Sequence, residues 1–156
     1  MGDYKLSLAD EQATESLARC LAYACKAGDV LLLSGPLGAG KSCFARAFIR
    51  MIAGDPVLEV PSPTFTLVQT YPTEPPITHA DLWRVADASE VVELGLEWND
   101  QGIALIEWPD RLGDQTPDQA LRVELDWADG AGRTVRLQGP DRLIDRVRAN
   151  KLDGAP

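Results

Sequence analysis

Histidine is nearly missing from this chain. Its 156 residues include one, His79, and three cysteines, Cys20, Cys25 and Cys43, with no CxxC among them. A structural zinc needs several closely spaced thiol or imidazole ligands, so none is expected. The odd thiol count without a pairing pattern suits reduced, packed cysteines of a cytoplasmic protein better than a disulfide framework. Positive charge is short as well: 15 Lys and Arg stand against 24 Asp and Glu, a net charge of −9. Such a balance argues against direct grip on nucleic acid or on an anionic membrane surface. No apolar run approaches the length of a membrane span. Met1-Gly2-Asp3-Tyr4 lacks the basic and apolar regions of a signal peptide. Leu6 stands where a myristoylation signal needs Ser or Thr.

What is present is 45% hydrophobic residues over a length suited to one core. We therefore expect a single domain over 1–156, with 151–156 a polar tail. Lys5 to Leu8 reads as a short strand. Asp10 then caps a helix to about Lys26, with small or apolar Ala13, Leu17, Leu21 and Ala24 on one side. Val30 to Leu33 has no polar position and reads as a strand buried on both faces. A helix is expected from Lys41 to Ala53, stopped by Gly54 and Pro56. The segment 56–76 is proline-rich, but Phe65 to Tyr71 alternates and is expected to be a strand. Ile77 to Leu82 and Ile103 to Ile106 are further strands, separated by a short helix capped by Ser89 and running to about Leu96. Leu121 to Trp127 and Thr134 to Leu137 form a hairpin about the turn at Asp129-Gly130-Ala131-Gly132. A last helix spans about Asp141 to Asn150, its cationic Arg142, Arg146, Arg148 and Lys151 forming a solvated face. The expected fold is α/β: one P-loop NTPase-type domain, a mostly parallel sheet flanked by helices, with a C-terminal β-hairpin.

The chemistry-bearing motif is Gly35-Pro36-Leu37-Gly38-Ala39-Gly40-Lys41-Ser42, which fits G-x-x-x-x-G-K-[ST] in full. Gly35, Gly38 and Gly40 allow the backbone to turn tightly, so that successive N–H groups converge on a β-phosphate. The helix opening at Lys41 aims its positive end at the same anion. Lys41 supplies an ammonium between β- and γ-oxygens, and the Ser42 hydroxyl is a ligand for Mg²⁺. Four fixed positions match by chance in about one chain of this length in a few hundred, and here a strand and a helix flank them as the mechanism requires.

Such a loop needs a carboxylate at the end of a neighbouring strand. Glu107, closing Ile103 to Ile106, is the natural candidate. Glu97, in the similar tripeptide Leu96-Glu97-Trp98, follows a helical pattern and is the weaker one. Asp81, closing Ile77 to Ala80, is placed to hold metal-bound water or to orient the attacking water. Guanine specificity is rejected. Asp110-Arg111-Leu112-Gly113 spells D-x-x-G, but the strand end it needs belongs to Glu107. Asn150-Lys151-Leu152-Asp153 spells N-K-x-D, but follows a helix rather than a buried strand. Adenine is favoured. A small-molecule kinase is disfavoured because residues 85–102 contain no arginine for a substrate clamp. His79 and Phe65 are read as packed residues, and packing stands at even weight with function for Trp83.

With Gly35 to Ser42, Ser62-Pro63-Thr64-Phe65, His79-Ala80-Asp81-Leu82-Trp83-Arg84 and Ile106-Glu107-Trp108-Pro109 in this order, the chain resembles the TsaE (YjeE) family. The resemblance runs from about Asp10 to the hairpin near Arg133. It implies an ATPase, weak alone, that works with TsaD and TsaB subunits in forming threonylcarbamoyladenosine at position 37 of tRNA. It also implies ATP or ADP with Mg²⁺ as the bound species, Lys41 and Ser42 on phosphate and metal, and Glu107 as the metal carboxylate. Asp81 would assist hydrolysis, Thr64 would sense the γ-phosphate, and Trp108 would lie beside the nucleotide. Glu11, Gly132 and Arg133 resemble base-proximal segments. The chain departs from the family's usual pattern at Pro36 (usually acidic), Trp83 (usually Tyr) and Cys43 (usually Thr). Cys43 keeps its backbone N–H but offers a weak side-chain donor, so the departure bears on hydrolysis more than on binding. The alternative is a nucleotide-loaded assembly module whose hydrolysis is incidental. A tRNA-pathway role on so acidic a surface points to protein partners rather than direct RNA contact.

Overall fold

The computed structural model describes residues 1–96, 100–150 and 152. In chain order the elements are β1 (Gly2–Leu8), α1 (Glu11–Ala24), β2 (Val30–Ser34), α2 (Lys41–Ala53), β3 (Val68–Tyr71), β4 (Ile77–Asp81), α3 (Ala88–Glu93) and β5 (Ile103–Glu107). A 3₁₀ turn (Pro109–Gln115), β6 (Leu121–Trp127), β7 (Arg133–Gly139) and α4 (Asp141–Ala149) complete the chain.

One seven-stranded sheet holds the strands in the order β1-β7-β6-β2-β5-β4-β3. The pairs β6–β2, β2–β5 and β5–β4 are parallel, whereas β1–β7, β7–β6 and β4–β3 are antiparallel. Five of the seven strands thus run the same way, β3 and β7 being the exceptions, and the expected mostly parallel α/β sheet with a C-terminal hairpin is present. Because side chains alternate across a strand, β2 divides its apolar residues between two cores. Leu31 and Leu33 join Phe44, Phe48 and Leu17 beneath α1, α2 and α4. Val30 and Leu32 join Ile106, Val91 and Leu112 beneath α3 and the 3₁₀ turn. This two-sided cover is why the central strands carry no polar stripe. It also brings the C-terminal ends of β2, β4 and β5 side by side, where ligands bind in sheets of this type.

Helix signals were legible locally. Asp10 caps α1 by accepting from the Ala13 N–H at 3.0 Å, and Gly54 ends α2 in the left-handed region. Several expectations need correction. Asp87, rather than Ser89, caps α3: its carboxylate accepts from the N–H groups of Ser89 and Glu90, and the helix ends at Glu93, short of Leu96. The strand expected from Phe65 begins only at Val68, because the chain turns at 63–67, with Leu67 at φ 68° donating its N–H to the Pro63 carbonyl. Phe65 is consequently 81% exposed rather than core. The arginines of α4 are not merely solvated. Arg142 pairs with Asp29, and Arg146 and Arg148 lie over the rings of Tyr23 and Tyr4. Glu97, Lys151 and Asp153 lie outside the described residues. No helix among the described residues is long and apolar enough to cross a membrane.

Candidate functional site

Four chain segments meet at the C-terminal ends of β2, β4 and β5. The loop after β2 approaches the sheet so closely that a Cβ on Gly35 would lie 2.1 Å from the Leu125 carbonyl oxygen of β6. Gly40, at φ 111°, swings the backbone into α2, and its carbonyl accepts the Phe44 N–H at 2.9 Å. Lys41 is thereby the first residue of α2. Its Nζ donates to the carbonyls of Gly35 and of Pro36, the latter at 3.1 Å, and stands 4.1 Å from the centroid of the Trp108 ring. Burial pushes the Lys41 ammonium below the usual lysine range, while the negative charges of Glu107 and Asp81 pull it back up.

Glu107 and Asp81 are opposite one another in the β5–β4 register, and Glu107 is also level with Leu33 of β2. Both carboxylates are buried. Asp81 Oδ2 accepts from the Thr64 hydroxyl at 3.0 Å, and Asp81 Oδ1 accepts from the Trp83 N–H at 2.9 Å. The Thr64 oxygen lies 2.7 Å from that of Ser62. A hydroxyl has one proton, and Thr64 spends its own on Asp81, so Ser62 is the donor to Thr64. His79 is buried in β4 as expected, and its Nε2 lies 2.8 Å from Glu107 Oε2, a partner the sequence did not reveal. Trp108 follows in the left-handed region at φ 57°, its N–H held by the Leu33 carbonyl at 3.2 Å. Its ring tilts against that of Trp83, with centroids 4.3 Å apart.

Lys41, Ser62, Thr64, Asp81, Glu107 and Trp108 line one cavity of about 420 Å³. Of the residues singled out in the sequence, Leu37, Gly38, Gly40, Lys41, Ser42 and Cys43 reach it from the glycine loop and α2. Thr64, Asp81, Glu107 and Trp108 reach it from the strand ends, and Glu11 and Arg133 from the rim. Gly35, Pro36, Ala39 and Gly132 do not line it. Gly35 and Pro36 act through their carbonyls on Lys41, Ala39 is buried in the core, and Gly132 offers its carbonyl to Arg133. Arg133 also donates to the Gly38 carbonyl at 3.0 Å, tying the hairpin turn to the loop. Thr14, Ser62 and Ala131 line the cavity without having been singled out as site residues. Ser62 belongs to the Ser62-Pro63-Thr64-Phe65 motif, whereas Thr14 reads as an ordinary helix position. Around Cys43, burial and then the charges of Glu11 and Glu15 push the thiol up to about 11.

Chemically, the cavity combines the Lys41 ammonium, a helix N-terminus, the hydroxyls of Thr14, Ser42, Ser62 and Thr64, and the buried carboxylates of Asp81 and Glu107. The first two favour a polyanion, and the oxygen donors suit a hard cation.

The family described as "Threonylcarbamoyl adenosine biosynthesis protein TsaE" matches residues 8–135. The chain belongs to the TsaE family. That family's role is in tRNA threonylcarbamoyladenosine biosynthesis. The tRNA threonylcarbamoyladenosine biosynthesis protein TsaE of Rickettsia felis is 36% identical over 152 residues, covering 94% of this chain and 88% of its own. The protein of the same name from Bacillus subtilis is 33% identical over 124 residues, covering 79% and 77%. Among solved structures, Bacillus subtilis YdiB superposes with a TM-score of 0.74 at 25% identity, covering 97% of this chain and 94% of that one. The TsaE match takes in every cavity residue named above, whereas α4 lies beyond it.

Proposed function

We propose that this TsaE-family chain binds ATP with Mg²⁺ and hydrolyses it slowly by itself, serving threonylcarbamoyl transfer to adenosine 37 of tRNA alongside TsaD- and TsaB-type subunits. The observation that carries the reading is the convergence of Lys41, Ser42, Asp81 and Glu107 on one cavity at the sheet's C-terminal edge. In P-loop enzymes these residue types hold β- and γ-phosphates and their metal. The donor set fits magnesium, since Ser42, Asp81 and Glu107 offer oxygen and no soft ligand. Ser42 and Glu107 would hold the ion, which when bound neutralises charge on the phosphate oxygens.

In this reading the chain's own groups divide the work. Lys41 leaves the Gly35 and Pro36 carbonyls for the phosphates, a move within reach of a long, flexible side chain. Asp81 fixes the Thr64 hydroxyl, and Ser62 completes the relay, so the loop at 62–64 is set to respond to a γ-phosphate. Trp108 screens Lys41 from water. Pro36 supplies no acidic side chain at the loop, and Cys43, held as the neutral thiol, contributes its backbone N–H.

Calorimetry with ATP or ADP and magnesium tests the binding. The parent is expected to bind and Lys41→Ala to lose most of its affinity; no heat from the parent overturns the proposal. In cells whose only copy carries Lys41→Ala, the modified-adenosine content of tRNA should fall. Unchanged content would remove the pathway role while leaving an ATPase. A Glu107→Ala variant that binds ATP and still supports modification would make hydrolysis incidental.

A further inference from the structure

His79 has no part in the mechanism above, yet its imidazole is in direct contact with Glu107. On β4, His79 and Asp81 are two residues apart and therefore project to the same face. That face belongs to the core under α2, since Ile77 of β4 and Leu105 of β5 both lie in it. In register His79 is opposite Leu105 and Asp81 is opposite Glu107, so the imidazole reaches one step diagonally to Glu107. Nε2 to Oε2 is 2.8 Å, with the two side chains 2% and 3% exposed.

We propose that His79 is a positioning residue for Glu107, holding Oε2 so that Oε1 is the oxygen presented to the magnesium and nucleotide; the inference rests on the nucleotide reading of the cavity. Three features support it. The terminal torsion of a glutamate side chain has a broad, two-fold profile, so the chain itself does not orient that carboxylate plane. Asp81 directly across the strand pair is a like charge and offers no donor to do so. Finally, the imidazole is a poor choice for packing alone. With Nε2–H given to Glu107, Nδ1 is left buried without a hydrogen-bond partner among the described residues. An apolar side chain would fill the same strand position with no unpartnered nitrogen. The arrangement is the carboxylate–imidazole support that orients metal ligands in other sites.

The test compares His79→Leu, His79→Gln and His79→Asn with the parent. Calorimetry measures ATP affinity with and without magnesium, steady-state turnover gives kcat and KM, and thermal melts check folding. Removing the donor in His79→Leu should raise the magnesium concentration at half-effect about tenfold or more, lower kcat, and leave metal-free ATP affinity unchanged. Gln, whose amide nitrogen reaches the place of Nε2, should restore the parent's magnesium dependence, and the shorter Asn should not. If the Leu variant does not fold, the Gln and Asn pair decides the matter. Equal magnesium dependence in the Asn and Gln variants and the parent overturns the proposal, as does a loss of ATP affinity in the Leu variant that is the same with and without the metal. A parent that binds no nucleotide at all overturns the nucleotide reading and this inference together. A parent that binds normally beside indifferent variants removes this inference alone.

Discussion

Gly35→Ala should be far more damaging than its size suggests. The added Cβ would sit 2.1 Å from the Leu125 carbonyl oxygen, about 1.2 Å inside an ordinary C···O approach of about 3.3 Å. That oxygen cannot retreat easily, because Leu125 is paired with Val135 of β7 and its neighbour Glu124 with Ser34 of β2. The backbone at φ +138° also costs a non-glycine residue on the order of 1–3 kcal/mol, and overpacking adds roughly another 1–3 kcal/mol. A total near 4 kcal/mol corresponds to a fall in Tm of about 12 °C at this chain length, at about 3 °C per kcal/mol. Gly54 is the matched control: it too has positive φ, at +65°, but a methyl group added there would meet nothing within 4 Å. Gly54→Ala should therefore cost about 1 kcal/mol, the left-handed backbone alone, or about 3 °C. Circular-dichroism melts of the two variants under one buffer decide the question. Equal falls in Tm would refute the claim that the loop is jammed against β6. Relief by moving the loop outward would also displace the backbone N–H groups of the glycine loop from the phosphate position, so any folded Gly35→Ala protein should bind nucleotide weakly.

Two further outcomes are expected. Thr64→Val deletes the relay from Ser62 to Asp81 and should lower ATP turnover ten- to hundred-fold, about the worth of a hydrogen bond to a charged group, with little change in ATP affinity; turnover equal to the parent would take Thr64 out of the site. Cys43, with its thiol pushed up to about 11, is about 0.1% thiolate at pH 8. Its alkylation by iodoacetamide, followed residue by residue by mass spectrometry, should be slow there and climb about tenfold per pH unit until the pH nears 11. Labelling at pH 8 as fast as that of a free thiol would contradict its half-buried, anion-flanked setting.

The legible parts of this molecule were those written in consecutive residues. The glycine loop, the two apolar runs at 30–33 and 103–106, and the Asp10 cap each act through neighbours in sequence, so identity and period sufficed. The misread parts turn on competition between equivalent local signals or on backbone without a residue signature. Asp87 and Ser89 are both good caps; Asp87 prevails because its carboxylate accepts two N–H groups, and Glu90 reaches back to the Ala86 N–H at 2.7 Å. Leu67 at φ 68° and Trp108 at φ 57° are turns that glycine or asparagine would have announced and these residues do not.

The site's polar wiring lay out of sight for a different reason. His79 and Glu107 meet only because β4 and β5 are parallel neighbours in one particular register, and a slip of β4 by a single residue would send His79 to the face opposite Glu107. Arg133 reaches Gly38 only because the sheet order sets β6 beside β2, which brings the turn of the C-terminal hairpin over the glycine loop. A strand-end carboxylate can therefore be nominated from sequence, but the group that orients it cannot until the strand order is known. Other determinants of this site should therefore be sought on the side chains two residues before each functional strand end, facing the same way as the carboxylate they flank. In this chain that rule selects His79 before Asp81 and Leu105 before Glu107, and of those two positions only the first has a hydrogen to give.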